Sequence, residues 1–357
     1  MVRIIGFKFV IAAALALLLT TFSFFPGGIA AYDVQSQTTP VGQQLQQNCQ
    51  PQNVQPVAFA PSAYAYKGAI MWTPPVDIRC RDLYYGIGGP ANVPDTSNAF
   101  TYVERKKSGT QKKIVVEDIH GVKWTVKFGY EARPETAATR LVWAVGYHVD
   151  QDYFVPYARI VGQKNIIARD VRFERHDDGF KETGNWSWKD NPFLGTVEFD
   201  GLKVVMALIK NWDLKTMNND VVNPKKGNGP CVYYVADLGA SLGTTESFWN
   251  RLPLFGNMPA IVGFSTGKAK GYPSGFAHER FIDEVCDGGV YFYTHRTGTA
   301  NKINGVPVTS ARWIGNWLGQ LSDKQLADAF CAGGFSRAET DLYVAILRAR
   351  IMQLQQL

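Results

Sequence analysis

The chain has 357 residues, 46% hydrophobic and 13% aromatic, enough for a large core in one two-lobed domain or two smaller ones. Its net charge is +6, but the basic residues are dispersed, with the longest run at Arg105 to Lys107, so no nucleic-acid partner is indicated. The five cysteines include no C-x-x-C pair, which leaves a structural zinc unsupported.

The N-terminus has the layout of a secretory signal. Arg3 and Lys8 precede an uncharged apolar run of 17 residues, Phe9 to Phe25, and "PGGIAA" supplies small residues for cleavage after Ala30 or Ala31. Residues 1–31 are therefore expected to be a signal peptide. The alternative is an uncleaved anchor, since the run is borderline for spanning a bilayer. Either way the remainder is expected to be exported, periplasmic or extracellular, and to touch a membrane only through this segment. Without residues 1–31 the charge falls to +4. Residues 32–81 are expected to be an extended N-terminal arm, because 32–62 is rich in Gln, Pro and Ser and has no periodicity. In an oxidising compartment Cys49 and Cys80 can staple that arm to the core. The other reading is that all the cysteines are small buried groups.

Residues 82–199 read as a β-rich lobe. "DLYYGIGGPANVPD" is a glycine-rich turn region, with Gly86, Gly88 and Gly89 close together. "AFTYVER", "KKIVVED" and "VKWTVKFG" are short β-branched and aromatic runs that predict an antiparallel sheet. "RPETAATRLVWAVGY" predicts a helix, with Pro134 and Glu135 in its first turn and Gly146 at its end. "YFVPYARIV" and "DVRFERH" predict two more strands, and about 176–195 reads as a polar loop.

Residues 200–357 read as a helical lobe. Leu202, Val205, Met206 and Ile209 recur at helical spacing, with Asp200 as the expected cap. "CVYYVADLGAS" reads as a strand followed by a turn, 244–275 as loop, and "HERFIDE" as a solvated helix face. Ser322 with Gln325, and Ser336 with Glu339, form capping boxes that open two helices. The expected class is α+β with two lobes.

Three stretches carry candidate chemistry. Lys127 ends a β-run, where burial demands a charge partner, and Glu135 lies eight residues later at a helix start. Asp213 to Asn218 reads D-L-K-x-x-N, directly after a helix. Asp237 lies in D-L-G at the end of a hydrophobic strand, 19 residues after Asn218. The second stretch resembles the catalytic loop of protein kinases, and the third resembles their D-F-G segment. "KFGYEARPE" resembles the lysine segment of phosphoinositide-type atypical kinases. The chain thus resembles the atypical protein-kinase-like superfamily, of the phosphoinositide-kinase, bacterial toxin-kinase and secreted-kinase type, through short motifs spread over about residues 82–240.

That resemblance implies a protein-kinase-like fold, ATP and Mg²⁺ as cofactors, and phosphoryl transfer to an unknown hydroxyl acceptor. It implies that Lys127 holds the nucleotide phosphates and Glu135 orients Lys127. Asp213 is implied to position the acceptor hydroxyl, Lys215 to neutralise the migrating group, and Asn218 with Asp237 to bind Mg²⁺. The sequence departs from the pattern in two places. Asn211-Trp212-Asp213 stands where kinases have H-R-D, and Gly86, Gly88 and Gly89 neither match G-x-G-x-x-G nor lie close before Lys127. The competing expectation is a catalytically inactive exported pseudokinase or an envelope binding protein. "GFSTGKAKG" falls one residue short of a phosphate loop, and no pair of histidines has metal-ligand spacing.

Overall fold

A computed structural model describes residues 66–106, 111–162, 165–176, 179–226, 229–243, 276, 280–294 and 296–357. The signal segment, most of the arm, Cys49, the 244–275 stretch and the first two residues of "HERFIDE" lie outside them. The described residues belong to one compact unit.

The N-lobe is built on a closed barrel. Strands β2 (Phe100–Lys106), β3 (Lys113–Glu117), β4 (Lys123–Phe128), β6 (Asp152–Val161) and β7 (Ile166–Arg175) close in the order β2–β3–β4–β7–β6. All neighbours are antiparallel except β2 and β6. The period-2 pattern fixes which side chains enter. Phe100, Val116, Trp124, Val126, Tyr153, Val155, Val171 and Phe173 fill the barrel. Helix α1 (Ala132–Ala144) follows β4 and packs on the outer face of β6 and β7.

The C-lobe carries α2 (Val197–Leu208), α3 (Thr297–Ile303), α4 (Val308–Leu318), α5 (Asp323–Ala332) and α6 (Arg337–Gln356). Its core joins Phe199, Met206, Ile314, Phe330, Tyr343 and Leu347 to Leu141 and Val142 of α1. The capping boxes at Ser322 and Ser336 open α5 and α6 as expected. Helix α2 starts earlier than expected, because Thr196 accepts the bond from Phe199 N–H and Asp200 falls in the first turn. Among the described residues no helix is long and apolar enough to cross a membrane.

Several expectations change. Residues 66–81, placed in the arm by composition, pack into the body. Strand β1 (Ala69–Ile70) runs parallel to β10 (Cys231–Val235), and Trp72 donates to Val145 O at 2.6 Å while meeting Trp313 edge-on. The apolar side chains of "AIMW" account for this, since each loses its water contact on burial. The 176–195 loop contains a strand, β8 (Phe180–Asn185), which pairs with β9 (Asn219–Pro224). β9 and β10 form the hairpin around "NPKKGNGP", and β5 (His148–Val149) continues the edge of β10 beyond β1. The last part of "HERFIDE" is β11 (Ile282–Cys286), not a helix face. It pairs with β12 (Gly289–Phe292), which in turn pairs with β13 (Val306–Pro307). Cys80 is disulfide-bonded, whereas Cys231, Cys286 and Cys331 are free thiols.

Candidate active site

The site is organised around Lys127. Alternation along β4 sends Trp124 and Val126 into the barrel and Thr125 and Lys127 to the outer face, beneath α1. Lys127 is only 2% exposed, so its ammonium requires anions close by. Three are present. Its Nζ lies 3.0 Å from Glu135 Oε2, 2.7 Å from Glu131 Oε2 and 2.7 Å from Asp237 Oδ1. Glu135 is placed by the first turn of α1, where the helix dipole favours an acid. Asp237 follows β10 in a left-handed conformation, φ +46°, which aspartate tolerates better than most residues.

Behind Lys127 lies a second buried cation. Arg172 on β7 pairs in register with Lys127 on β4. Like charges facing each other across a sheet repel, and the carboxylates between and around them resolve the conflict. Arg172 Nη1 reaches Glu135 Oε1 at 2.9 Å and Nη2 reaches Glu174 Oε2 at 2.6 Å. Nη1 also lies 2.9 Å from Asp152 Oδ1, but without hydrogen-bond geometry, so both Asp152 oxygens lack a hydrogen-bond donor.

Titration behaviour follows from this packing. Burial works against the Lys127 charge, yet Glu135, Glu131 and Asp237 together raise its pKa above the ordinary value. Burial pushes Glu135 up to about 7 despite Arg172 and Lys127. Burial likewise pushes Asp152 up to about 6 against Arg172. For Asp237 burial acts upward, but the charge and hydrogen bond of Lys127 prevail and hold it at about 2.

The D-L-K-x-x-N stretch forms a tight loop of its own. Asn211 Oδ1 accepts from Asp213 N–H at 2.9 Å. Asn218 Nδ2 donates to Asp213 O at 2.8 Å and to its Oδ2 at 3.3 Å. Lys215 Nζ lies 2.9 Å from Asp213 Oδ1. The spacing of five therefore serves a physical purpose, because the amide of Asn218 reaches back to lock Asp213. This loop is fastened to the D-L-G segment. Ala236 N–H donates to Asn218 O at 3.0 Å, and Trp212 N–H donates to Ala240 O at 3.3 Å. Arg296 stacks on Trp212 at 3.8 Å, and Thr299 Oγ1 donates to Trp212 O at 2.8 Å.

The structure thus brings Lys127, Glu135 and Asp237 into direct contact. It also brings Asp213, Lys215 and Asn218 together, and backbone bonds join the second group to the first at Ala236. The glycines of "YYGIGGPAN" stand elsewhere. A 3-10 turn at Gly89–Asn92 contains the last of them, and Gly86 packs against the guanidinium of Arg140. Glu131, Arg172, Asp152 and Glu174 belong to the site and were not singled out by sequence reasoning. The alternation in "DVRFERH" carried the signal, with Val171 and Phe173 facing one way and Arg172 and Glu174 the other. Such a charged face reads as solvent-facing until α1 is known to cover it.

The carboxylates of Asp237 and Asp213 and the amide oxygen of Asn218 are hard oxygen donors of the kind Mg²⁺ takes. Asn218 spends its nitrogen on Asp213, so its oxygen is the atom that would meet a cation. Glu131, Glu135 and Asp237 also lie near enough to one another to share a cation.

No family model and no curated protein matches the chain. Among solved structures, it is similar to the Helicobacter pylori proinflammatory kinase CtkA, with TM-score 0.43 and 11% identity over 72% of this chain and 96% of that one. It is also similar to the Rio2 kinase of Chaetomium thermophilum in a complex with ADP, Mg²⁺ and phosphoaspartate, with TM-score 0.29 and 12% identity over 71% and 72%. At such TM-scores neither likeness bears on the chemistry. The two-lobed α+β class rests on the chain's own elements, a β-barrel lobe with one helix before a helical lobe.

Proposed function

We propose that the protein is an exported, Mg²⁺-dependent phosphotransferase that takes the γ-phosphoryl group of ATP to a hydroxyl acceptor. The observation that carries this reading is Lys127. It sits between Glu135 on α1 and Asp237 beyond β10, and these three residues come from separate segments of the chain. In this reading Lys127 binds the nucleotide phosphates and Glu135 holds Lys127. Asp213 accepts the proton of the acceptor hydroxyl as its oxygen bonds to phosphorus and the bond from phosphorus to the β–γ bridging oxygen breaks. Lys215 stabilises charge on the moving group. Asn218 and Asp237 would hold Mg²⁺, which when bound neutralises phosphate charge.

A non-catalytic reading is supported by one observation. Three carboxylates already lie within 3.0 Å of the Lys127 ammonium, two of them hydrogen-bonded to it, so the cleft can bind a ligand without supporting turnover. Titration of the full chain with Mg²⁺·ATP, together with a phosphorylation assay, separates the two. The active reading expects binding and phosphate incorporation that Asp213→Ala and Asp237→Ala each lower at least about a hundredfold. Binding without incorporation gives the pseudokinase, and absence of binding removes both.

A further inference from the structure

Three carboxylates surround one ammonium, and they are not held equally. Glu135 is fully buried, and its second oxygen is gripped by Arg172, which is itself anchored by Glu174. Asp237 is fixed by its left-handed turn and by the Ala236 N–H bond to Asn218 O. Glu131 differs. It precedes the first turn of α1, its side chain is 13% exposed, and among the described residues its carboxylate meets no cation other than Lys127. Two of the three Lys127 donors bond Glu135 and Asp237, whereas Glu131 Oε2 lies 2.7 Å from Nζ without hydrogen-bond geometry. A phosphate oxygen that takes the third donor displaces Glu131 Oε2 from its place beside Nζ.

We propose that Glu131 is the exchangeable partner of Lys127: it holds the ammonium in the nucleotide-free protein, yields it to the polyphosphate of a nucleoside triphosphate, and thereby sets nucleotide affinity. This rests on the reading of the cleft as a nucleotide site. The exchange forms and breaks no covalent bond, and one anion takes the place of another. Gly239 supplies the room. A Cβ there would lie 2.8 Å from Glu131 Cβ and 2.9 Å from Glu131 Oε2. The backbone of Gly239 lies outside the left-handed region, so alanine fits its own conformation and presses on Glu131 instead.

The test is titration of the full chain with ATP, with and without MgCl₂, in the natural protein and in Glu131→Gln and Gly239→Ala. If Glu131 holds Lys127 in about nine-tenths of molecules, its removal tightens ATP binding about tenfold. Glu131→Gln is expected to show that gain with an unchanged Mg²⁺ requirement, and Gly239→Ala to move in the same direction. Unchanged or weaker binding by Glu131→Gln, while the natural protein still binds, overturns the proposal and leaves the nucleotide reading intact. A raised Mg²⁺ requirement in Glu131→Gln would make Glu131 a metal ligand and also overturn it. Absence of binding by all three proteins removes both readings. Binding by the two variants alone supports the exchange.

Discussion

Lys127 and Arg172 are two buried cations on one face of the barrel, held there by carboxylates from α1, β6, β7 and the segment after β10. Removing one member of such a network costs more than the network itself contributes, because the remaining charges stay buried. Lys127→Met is therefore expected to destabilise the fold by about 3 kcal/mol, read from urea unfolding, as well as abolish nucleotide binding. His148 offers an independent check at pH values where the network also titrates. Burial, aided by Arg81, pushes its pKa down to about 4. The neutral ring is thus favoured in the folded state, and its stability contribution is full above the unfolded value near 6.5 and lost as pH falls through about 4. Between pH 7 and pH 5 the natural protein should lose about 1–2 kcal/mol more stability than His148→Gln. Equal losses in the two proteins would show that His148 titrates normally.

Helix α5 shows how one residue can serve an element and its neighbours together. Ser322 and Gln325 cap each other at its start. Gln325 Nε2 then donates to Ile78 O at 2.7 Å and to Arg81 O at 3.0 Å, so the cap also fastens the segment after β1. Loss of Ser322 removes only the cap, whereas loss of Gln325 also leaves buried carbonyls without a donor. Ser322→Ala should cost about 1 kcal/mol. Gln325→Ala should cost about 2–3 kcal/mol by the same denaturant measurement. Helix α1 is tied in a comparable way, with Arg133 donating to Gly334 O at 2.7 Å and to Glu339 of α6 at 3.0 Å. The helix that carries Glu135 and follows Glu131 is thus referenced to both lobes, which keeps both carboxylates in register with Lys127.

At the scale of the molecule, the segment before the barrel completes the C-lobe. Strand β1 adds to β10, and Trp72 packs between α1 and α4 with its indole N–H satisfied. Trp72→Ala in the full chain is expected to cost about 3–5 kcal/mol and to lower the midpoint of thermal unfolding accordingly. An unchanged midpoint would mean that residues 66–81 are the peripheral arm their composition suggests. Lobe contacts also converge on the site. The ion pair of Lys127 with Asp237 joins the barrel to the β9–β10 hairpin, and that hairpin is bonded to the Asp213 loop.

Local pattern was enough to place the barrel strands, α1 and the capping boxes of α5 and α6, because each depends on neighbours within a few residues, whereas Lys127, Glu135, Asp213, Asn218 and Asp237 were candidates only through short motifs, and the contact of Lys127 with Asp237 depends on the fold. Strand alternation, helix caps and the back-bond from Asn218 to Asp213 are short-range physics. Tertiary structure decided the rest. It turned the outer face of β4 and β7 from a solvated surface into a buried ionic layer by laying α1 over it, and so brought Arg172, Asp152 and Glu174 into the site. It drew residues 66–81 into the core, because apolar side chains bury wherever a surface awaits them, whatever the composition of the chain before them. It also gave Lys127 a third carboxylate. Glu131 lies only four residues from Lys127, but their contact depends on the turn into α1 and on the space left by Gly239, more than a hundred residues further along the chain.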